Sequence, residues 1–297
     1  MIVAVLLAFA CASTFAISTS VQHHATTGSP PPSAGLLSLL GFLVRRPLWL
    51  LGQFLATCAF ALHAMALHEG QLAVVQPIVV SGIVWAVPAR AAMSRRWPSF
   101  DEVRAVALTA LGLAVFLVAS NPTEGRATSG GLVALLLALG GVVAATLSNL
   151  VAGMIHEHPR RRAFFLGATA GILFGMVAAF LKMALQAFSN DGLGGVLGSW
   201  PTYALLAAGA GGVLTNQRAY QTAGLSASMP VLNIANVVTA LTFGLLVFRE
   251  EPRHSPLLLV IEVAALAAIA FGLLLLVRLE ETVLHPHPTL DAVLPQP

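Results

Sequence analysis

Charge is what this chain has least of. Only 9% of its 297 residues are Asp, Glu, Lys or Arg, where a soluble domain carries about a quarter. That shortage leaves too little to solvate a globular surface and excludes an ordinary soluble fold. Lysine occurs once, at position 182, against fourteen arginines; with abundant alanine, this is the composition of a GC-rich bacterial genome. Cysteine is nearly absent. Cys11 and Cys58 both fall inside apolar runs, so no disulfide framework is expected and both read as packing residues. No G-x-x-x-x-G-K-[ST] loop is there to cradle nucleotide phosphates, which argues against ATP-driven pumping. No apolar run holds a Ser/His/Asp set or paired carboxylates, and the polar connections are too short for a catalytic domain. The chain is therefore not read as an enzyme, and it calls for no cofactor. His23, His24, His285 and His287 lie in polar segments without cysteine or carboxylate spacing, so no metal site is read there.

Apolar sequence is what fills the space. Hydrophobic residues make up 57% of the chain and the mean hydropathy is +0.86. Nine runs of about 20 apolar residues stand out, each long enough to cross the ~30 Å hydrocarbon core of a bilayer. They cover 2–22, 47–67, 72–92, 101–120, 131–151, 163–188, 201–222, 226–248 and 256–279. Continuous runs rather than alternating strands exclude a transmembrane barrel. The expected fold class is all-α: a polytopic membrane bundle of about nine transmembrane helices.

Arginine placement sets the expected orientation. With the N-terminus outside, Arg45, Arg46, Arg90, Arg95, Arg96, Arg104, Arg160, Arg161, Arg162 and Arg278 face the cytoplasm. Arg126, Arg249 and Arg253 then fall outside, a strong positive-inside bias. Location in a bacterial inner membrane, N-terminus out and C-terminus in, follows as the expectation. The net charge of +3 and the pI near 9.4 are thereby explained by topology, and no nucleic-acid partner is implied. The partner is the lipid bilayer; a homodimer or a second membrane protein stays open. Residues 1–20 lack the basic n-region of a signal peptide and read as the first span.

An internal repeat organises the spans. The stretch from His68 to Pro77 recurs in outline from Gln221 to Pro230, each a very short turn between spans with Leu and Pro at matching places. Pro77 and Pro230 are expected to shape helix starts, where proline sacrifices no hydrogen bond. His68 and Glu69 are expected to be solvated. Flanking spans match as well, leaving 131–151 unpaired and giving a 4+1+4 order. The units are 1–120 (with a cytoplasmic loop at 23–46), a connector at 121–162, a second repeat at 163–279 and a disordered cytoplasmic tail at 280–297. A single connector inverts the second repeat, an arrangement typical of secondary transporters with a midplane site between repeats.

Charges inside spans cost ~2.5–3.5 kcal/mol on insertion scales, so they need partners or water. Lys182 and Glu262 lie at similar depth from the outer side and are expected to pair, as a gate or a static ion pair, with Glu262 able to exchange a proton. Arg218 reads as snorkelling to headgroups. Asn216, Gln217, Asn233 and Asn236 are expected to line one polar cavity, with His63 on the opposite wall. Such amides also serve as interhelical glue. Gly167, Gly171 and Gly175 fall on one helix face, where they let a neighbouring backbone approach closely, and Lys182 continues that face.

The segments Arg46–Gly52, Leu72–Pro77, Ser199–Leu205 and Ser226–Pro230, the last followed twenty residues later by Glu250 at a span end, resemble the drug/metabolite transporter superfamily. The likeness is to EamA-like members, and the nine-helix count is most similar to the NIPA-type magnesium transporter branch. The resemblance implies a ligand-moving membrane protein with its site between the halves. Transport of a small polar metabolite by alternating access is the leading expectation, with Lys182, Asn216, Gln217, Asn233, Asn236 and His63 as substrate contacts. Magnesium transport is the alternative, disfavoured because a hard cation wants several carboxylates and Lys182 would repel it. A non-transporting subunit that binds lipid or a membrane enzyme is a third.

Overall fold

The computed structural model describes residues 2–25, 41, 44–82, 99–119, 131–222, 225–250 and 256–284. Among these the regular structure is entirely helical: α1 (Ile2–Ala25), α2 (Pro47–Glu69), α3 (Leu72–Val80), α4 (Phe100–Ala119), α5 (Gly131–Met154), α6 (Pro159–Gly198), α7 (Trp200–Thr222), α8 (Leu225–Leu246) and α9 (Pro256–Leu284). Each expected span holds one of these helices; the third, expected over 72–92, is helical only from Leu72 to Val80 and turns at Ser81 and Gly82, and its remainder from 83 lies outside the described residues. Four stretches, Pro47–Glu69, Gly131–Met154, Pro159–Gly198 and Pro256–Leu275, are long and apolar enough to cross a membrane, and Ile2–Ser18 and Val231–Leu246 are shorter apolar helices. The molecule is a membrane-embedded helical bundle.

Its packing reverses the pattern of a soluble protein. Helix α5 buries Ala134, Ala138, Ala145 and Ala152 and exposes Leu132, Leu136, Leu139, Val143, Leu147 and Leu150. With lipid outside, burial of large side chains gains little, so interfaces select small residues that let backbones approach. The expected glycine face does this. A β-carbon at Gly167 would lie 2.5 Å from the Ser228 carbonyl oxygen, one at Gly171 would collide with that of Leu232, and one at Gly175 would lie 2.6 Å from that of Asn236. These contacts advance together, so α6 and α8 run parallel. On the other faces of α6, Thr169 bonds to the Ala145 carbonyl of α5 at 3.3 Å, and Gly212 of α7 abuts Phe174.

Three expectations about helix ends are corrected. Pro77 stands at the sixth residue of α3, inside the helix, where it withdraws a donor; α3 ends three residues later. Pro230 likewise falls six residues into α8. The connection expected after residue 188 is helical to Gly198, broken at Gly192 with φ 60° and ψ −145°, a backbone that glycine adopts without a β-carbon penalty. At α4, Ser99 and Glu102 form a reciprocal capping box: the Ser99 N–H donates to Glu102 Oε2 at 2.7 Å and the Glu102 N–H donates to Ser99 Oγ at 3.2 Å, satisfying two otherwise orphaned donors.

Candidate functional site

The site forms where two chain ends meet. The connection between α2 and α3 is so short that the first N–H groups of α3 have no intrahelical partner. Gly70 makes the turn possible: a β-carbon there would collide with the Ala4 side chain of α1. At the other end of the junction, α8 unwinds after Leu246. The N–H groups of Val247 and Phe248 both bond to the Phe243 carbonyl, at 2.9 and 3.2 Å, and the Glu250 N–H reaches the Gly244 carbonyl at 3.0 Å. Arg249 adopts φ 51°, an uncommon left-handed conformation for a non-glycine residue that costs on the order of 1–3 kcal/mol. This reversal folds Glu250 back beneath α8. Gly244 supplies the room, since a β-carbon there would stand 2.7 Å from Glu250 Oε2.

Glu250 is thereby carried into the interior, with its side chain only 1% exposed. Its carboxylate is fully engaged. Oε1 accepts from the Leu72 N–H at 2.9 Å and from Lys182 Nζ at 2.6 Å, while Oε2 accepts from the Ala73 N–H at 2.9 Å. Lys182 Nζ also donates to the Gly70 carbonyl at 3.0 Å and sits 4.9 Å from the centre of the Phe248 ring. The anion faces the positive end of α3 and the Lys182 cation, with charge-assisted bonds throughout. Side chains from α6 and the end of α8 thus grip the backbone of the α2–α3 turn. Apolar packing encloses the grip. Phe180 stacks edge-on against Trp200 and Phe243, with ring centres 5.5 and 5.8 Å apart, and Leu67, Leu72, Val75, Ile78, Phe243 and Val247 join the same core.

Lys182 therefore pairs with Glu250 and not with Glu262 as expected from depth alone. The reason is adjacency. Glu262 is buried on α9, and α9 packs along α4, with Gly112 against Ala265 and Ile269, and Gly272 against Ala105 and Thr109. The other expected contacts are placed as follows. Asn233 lines a cavity of about 460 Å³ between α3, α8 and α9, but its companions there are Pro77, Val80, Val237, Leu241 and other apolar residues, so this is not the polar cavity expected. Asn216 and Asn236 each hold a buried Oδ1 with no hydrogen-bond partner, Asn236 on the α8 face that meets Gly175. His63 is buried with its Nε2 3.5 Å from the Gln76 amide nitrogen, a contact within the first half. The side chain of Gln217 lies outside the described residues. Arg218, His68 and Glu69 are exposed.

The residue that sequence reasoning missed as Lys182's partner is Glu250. It reads as a loop residue because it follows the end of the eighth apolar run, 226–248. The signal available was its place in the resemblance, twenty residues beyond Pro230 at a span end.

No family model matches the chain, and no solved structure matches it. Over 282 residues the chain is 28% identical to an uncharacterized protein of Corynebacterium glutamicum, covering 95% of this chain and 94% of that one.

Proposed function

We propose that the chain is a secondary transporter of the drug/metabolite type, EamA-like, moving a small polar metabolite across a bacterial inner membrane by alternating access between two inverted halves. The observation that carries this reading is the buried Lys182–Glu250 pair, 2.6 Å long, joining side chains of the second half to backbone of the first. A bundle built only to be stable gains little from such a pair, because desolvation offsets most of its attraction. A seam that must close and open gains a specific contact.

The helix arrangement supports the inverted repeat. Helix α1 packs on α2 and α3 as α6 packs on α7 and α8, and the halves meet through the corresponding helices α3 with α8 and α4 with α9. Contacts at named residues give the directions. Ser18 bonds to the Gly52 carbonyl while Gly70 meets Ala4, so α1 and α2 are antiparallel. Glu250 beyond α8 caps the start of α3, and Asn233 near the start of α8 shares a cavity with Val80, so α3 and α8 are antiparallel, as inversion requires. With the N-terminus outside, the Gly70 turn, Lys182 and Glu250 lie together toward the outer face.

Thermal-shift screening of the purified protein across metabolites and divalent cations, followed by flux in proteoliposomes for each hit, tests the reading. Ligand-dependent flux of a small polar metabolite is the expected result. Folded protein that passes none of its ligands, or that purifies with a stoichiometric membrane partner and no flux, sinks it. Maleimide labelling of cysteines at Gly125 and Gly192 from outside and at Arg161 from inside checks the orientation; labelling of 125 and 161 from one side overturns the topology.

A further inference from the structure

We propose that Lys182 and the Leu72 and Ala73 N–H groups form a carboxylate-binding seat, that Glu250 fills it in this closed arrangement, and that a small carboxylate-bearing substrate takes it when Glu250 leaves. The inference rests on the transporter reading and names its substrate class.

The seat is identified by its occupant. A planar carboxylate already sits in it, one oxygen shared by Leu72 N–H and Lys182 Nζ, the other held by Ala73 N–H, at 2.6–2.9 Å. Three donors on two coplanar oxygens fit a carboxylate. The donors are also fixed without Glu250. The backbone pair belongs to the start of α3, held by the Gly70 turn against Ala4, and Lys182 is held by the Gly70 carbonyl of that same turn. Glu250 is the member that separation of the α8 end would withdraw: it lies beyond that helix on a reversal made by Arg249 at φ 51°, its own N–H bonded to the Gly244 carbonyl at 3.0 Å.

Opening this end separates Glu250 from the seat and would leave a cation and two N–H donors buried without an anion. Such a state is strongly disfavoured. An incoming carboxylate replaces the lost one and removes the penalty, so binding and opening become one event. An amide or neutral solute cannot make this exchange, because it brings no charge to Lys182.

The test is chemical rescue of the full-length protein in nanodiscs. Glu250→Ala empties the seat. Its thermal midpoint is expected to rise in sodium acetate or formate and not in sodium chloride of equal ionic strength, whereas wild type and Lys182→Met/Glu250→Ala respond to neither. A folded Glu250→Ala protein indifferent to acetate overturns the seat, and a larger response to inorganic phosphate than to acetate overturns the carboxylate assignment. Should Glu250→Ala fail to fold, Glu250→Gln keeps the volume and tests the latch. A Leu72→Cys reporter, with Cys58 replaced and buried Cys11 as the control for global opening, is expected to label at least about tenfold faster with Glu250→Gln, the ratio given by ~1.4 kcal/mol of lost closure. Equal labelling, or equal acceleration at Cys11, overturns it. Neither readout uses transport. Absence of flux for every ligand ends the transporter reading and leaves the seat, while an acetate-indifferent seat leaves the transporter reading standing.

Discussion

Helix α1, which packs on α2 and α3, buries Ala4, Ala8, Ala12 and Ala16 at four-residue steps, whereas α6 buries Gly167, Gly171 and Gly175 at the same steps. The two leading helices occupy corresponding places in their halves but use different small residues. Alanine keeps its neighbours a methyl away. Glycine lets α8 lie against the backbone of α6, close enough for carbonyl oxygens to touch the glycine face. The polar content differs in the same direction. Helix α1 contains no Asp, Glu, Lys or Arg, while Lys182 lies on α6 and Glu250 folds back from the end of α8. At the junction the first half contributes backbone, the Gly70 carbonyl and the Leu72 and Ala73 N–H groups. The second half contributes charge. At this junction one half of the chain supplies backbone and the other the charged side chains.

The largest expected effect breaks this division at the ion pair. Glu250→Gln leaves Lys182 without its anion and serves the α3 donors with a neutral oxygen, so a loss of about 3–5 kcal/mol is expected. Lys182→Met is expected to cost less, because the Glu250 carboxylate keeps its two N–H donors. The double variant should be less damaged than the sum, since both members of one contact are removed. Chemical unfolding in detergent with the four-member cycle measures this. Strict additivity would show that the two side chains do not act as a unit. A charge swap, Lys182→Glu with Glu250→Lys, is expected not to rescue, because it points a cation at the positive end of α3.

The helices were legible from hydropathy because length and apolarity are local properties of the chain. The Gly167–Gly171–Gly175 face was legible too, since glycines at four-residue steps must share one side of a helix. Lys182 stood out as the only lysine inside a span. Its partner did not, and the reason is physical. Glu250 reaches the interior through a non-glycine left-handed turn at Arg249, which no local propensity announces, and two of its three carboxylate partners are backbone N–H groups, which every residue but proline has. Depth in the membrane ranked Glu262 and Lys182 together but carries no information on which helices are neighbours. The amides meet a related limit. Helical spacing puts Asn233 and Asn236 within one turn of α8, yet Asn233 lines an apolar cavity and Asn236 sets its backbone carbonyl against Gly175 of α6.

A middle-sized effect sharpens the contrast between glycine and alanine packing. Gly171→Ala would drive a methyl into the Leu232 carbonyl and the Ala235 side chain, and overpacking of this kind costs about 1–3 kcal/mol. Gly209→Ala is the internal control: its nearest neighbour would be Val177 Cγ2 at 3.8 Å, ordinary contact, so little change or slight stabilisation is expected. Comparison of the two thermal midpoints decides it. Equal effects would mean that the α6–α8 seam relaxes as freely as the α6–α7 face.

The smallest expected effect concerns the first half's own polar pair. His63 and Gln76 lie 3.5 Å apart in a buried setting on α2 and α3. If the first half is scaffold, this contact is interhelical glue, worth on average ~0.6 kcal/mol in a membrane protein. Either single change, His63→Leu or Gln76→Leu, strands the other group in an apolar interior and should cost about 1–3 kcal/mol. The double variant removes both polar groups and should return close to wild type in thermal midpoint, with ligand response in the shift assay unchanged. A double variant that is stable yet no longer responds to ligand would place a working side chain in the first half. The division of labour between the halves would then fail, because His63 or Gln76 would be touching what the protein binds.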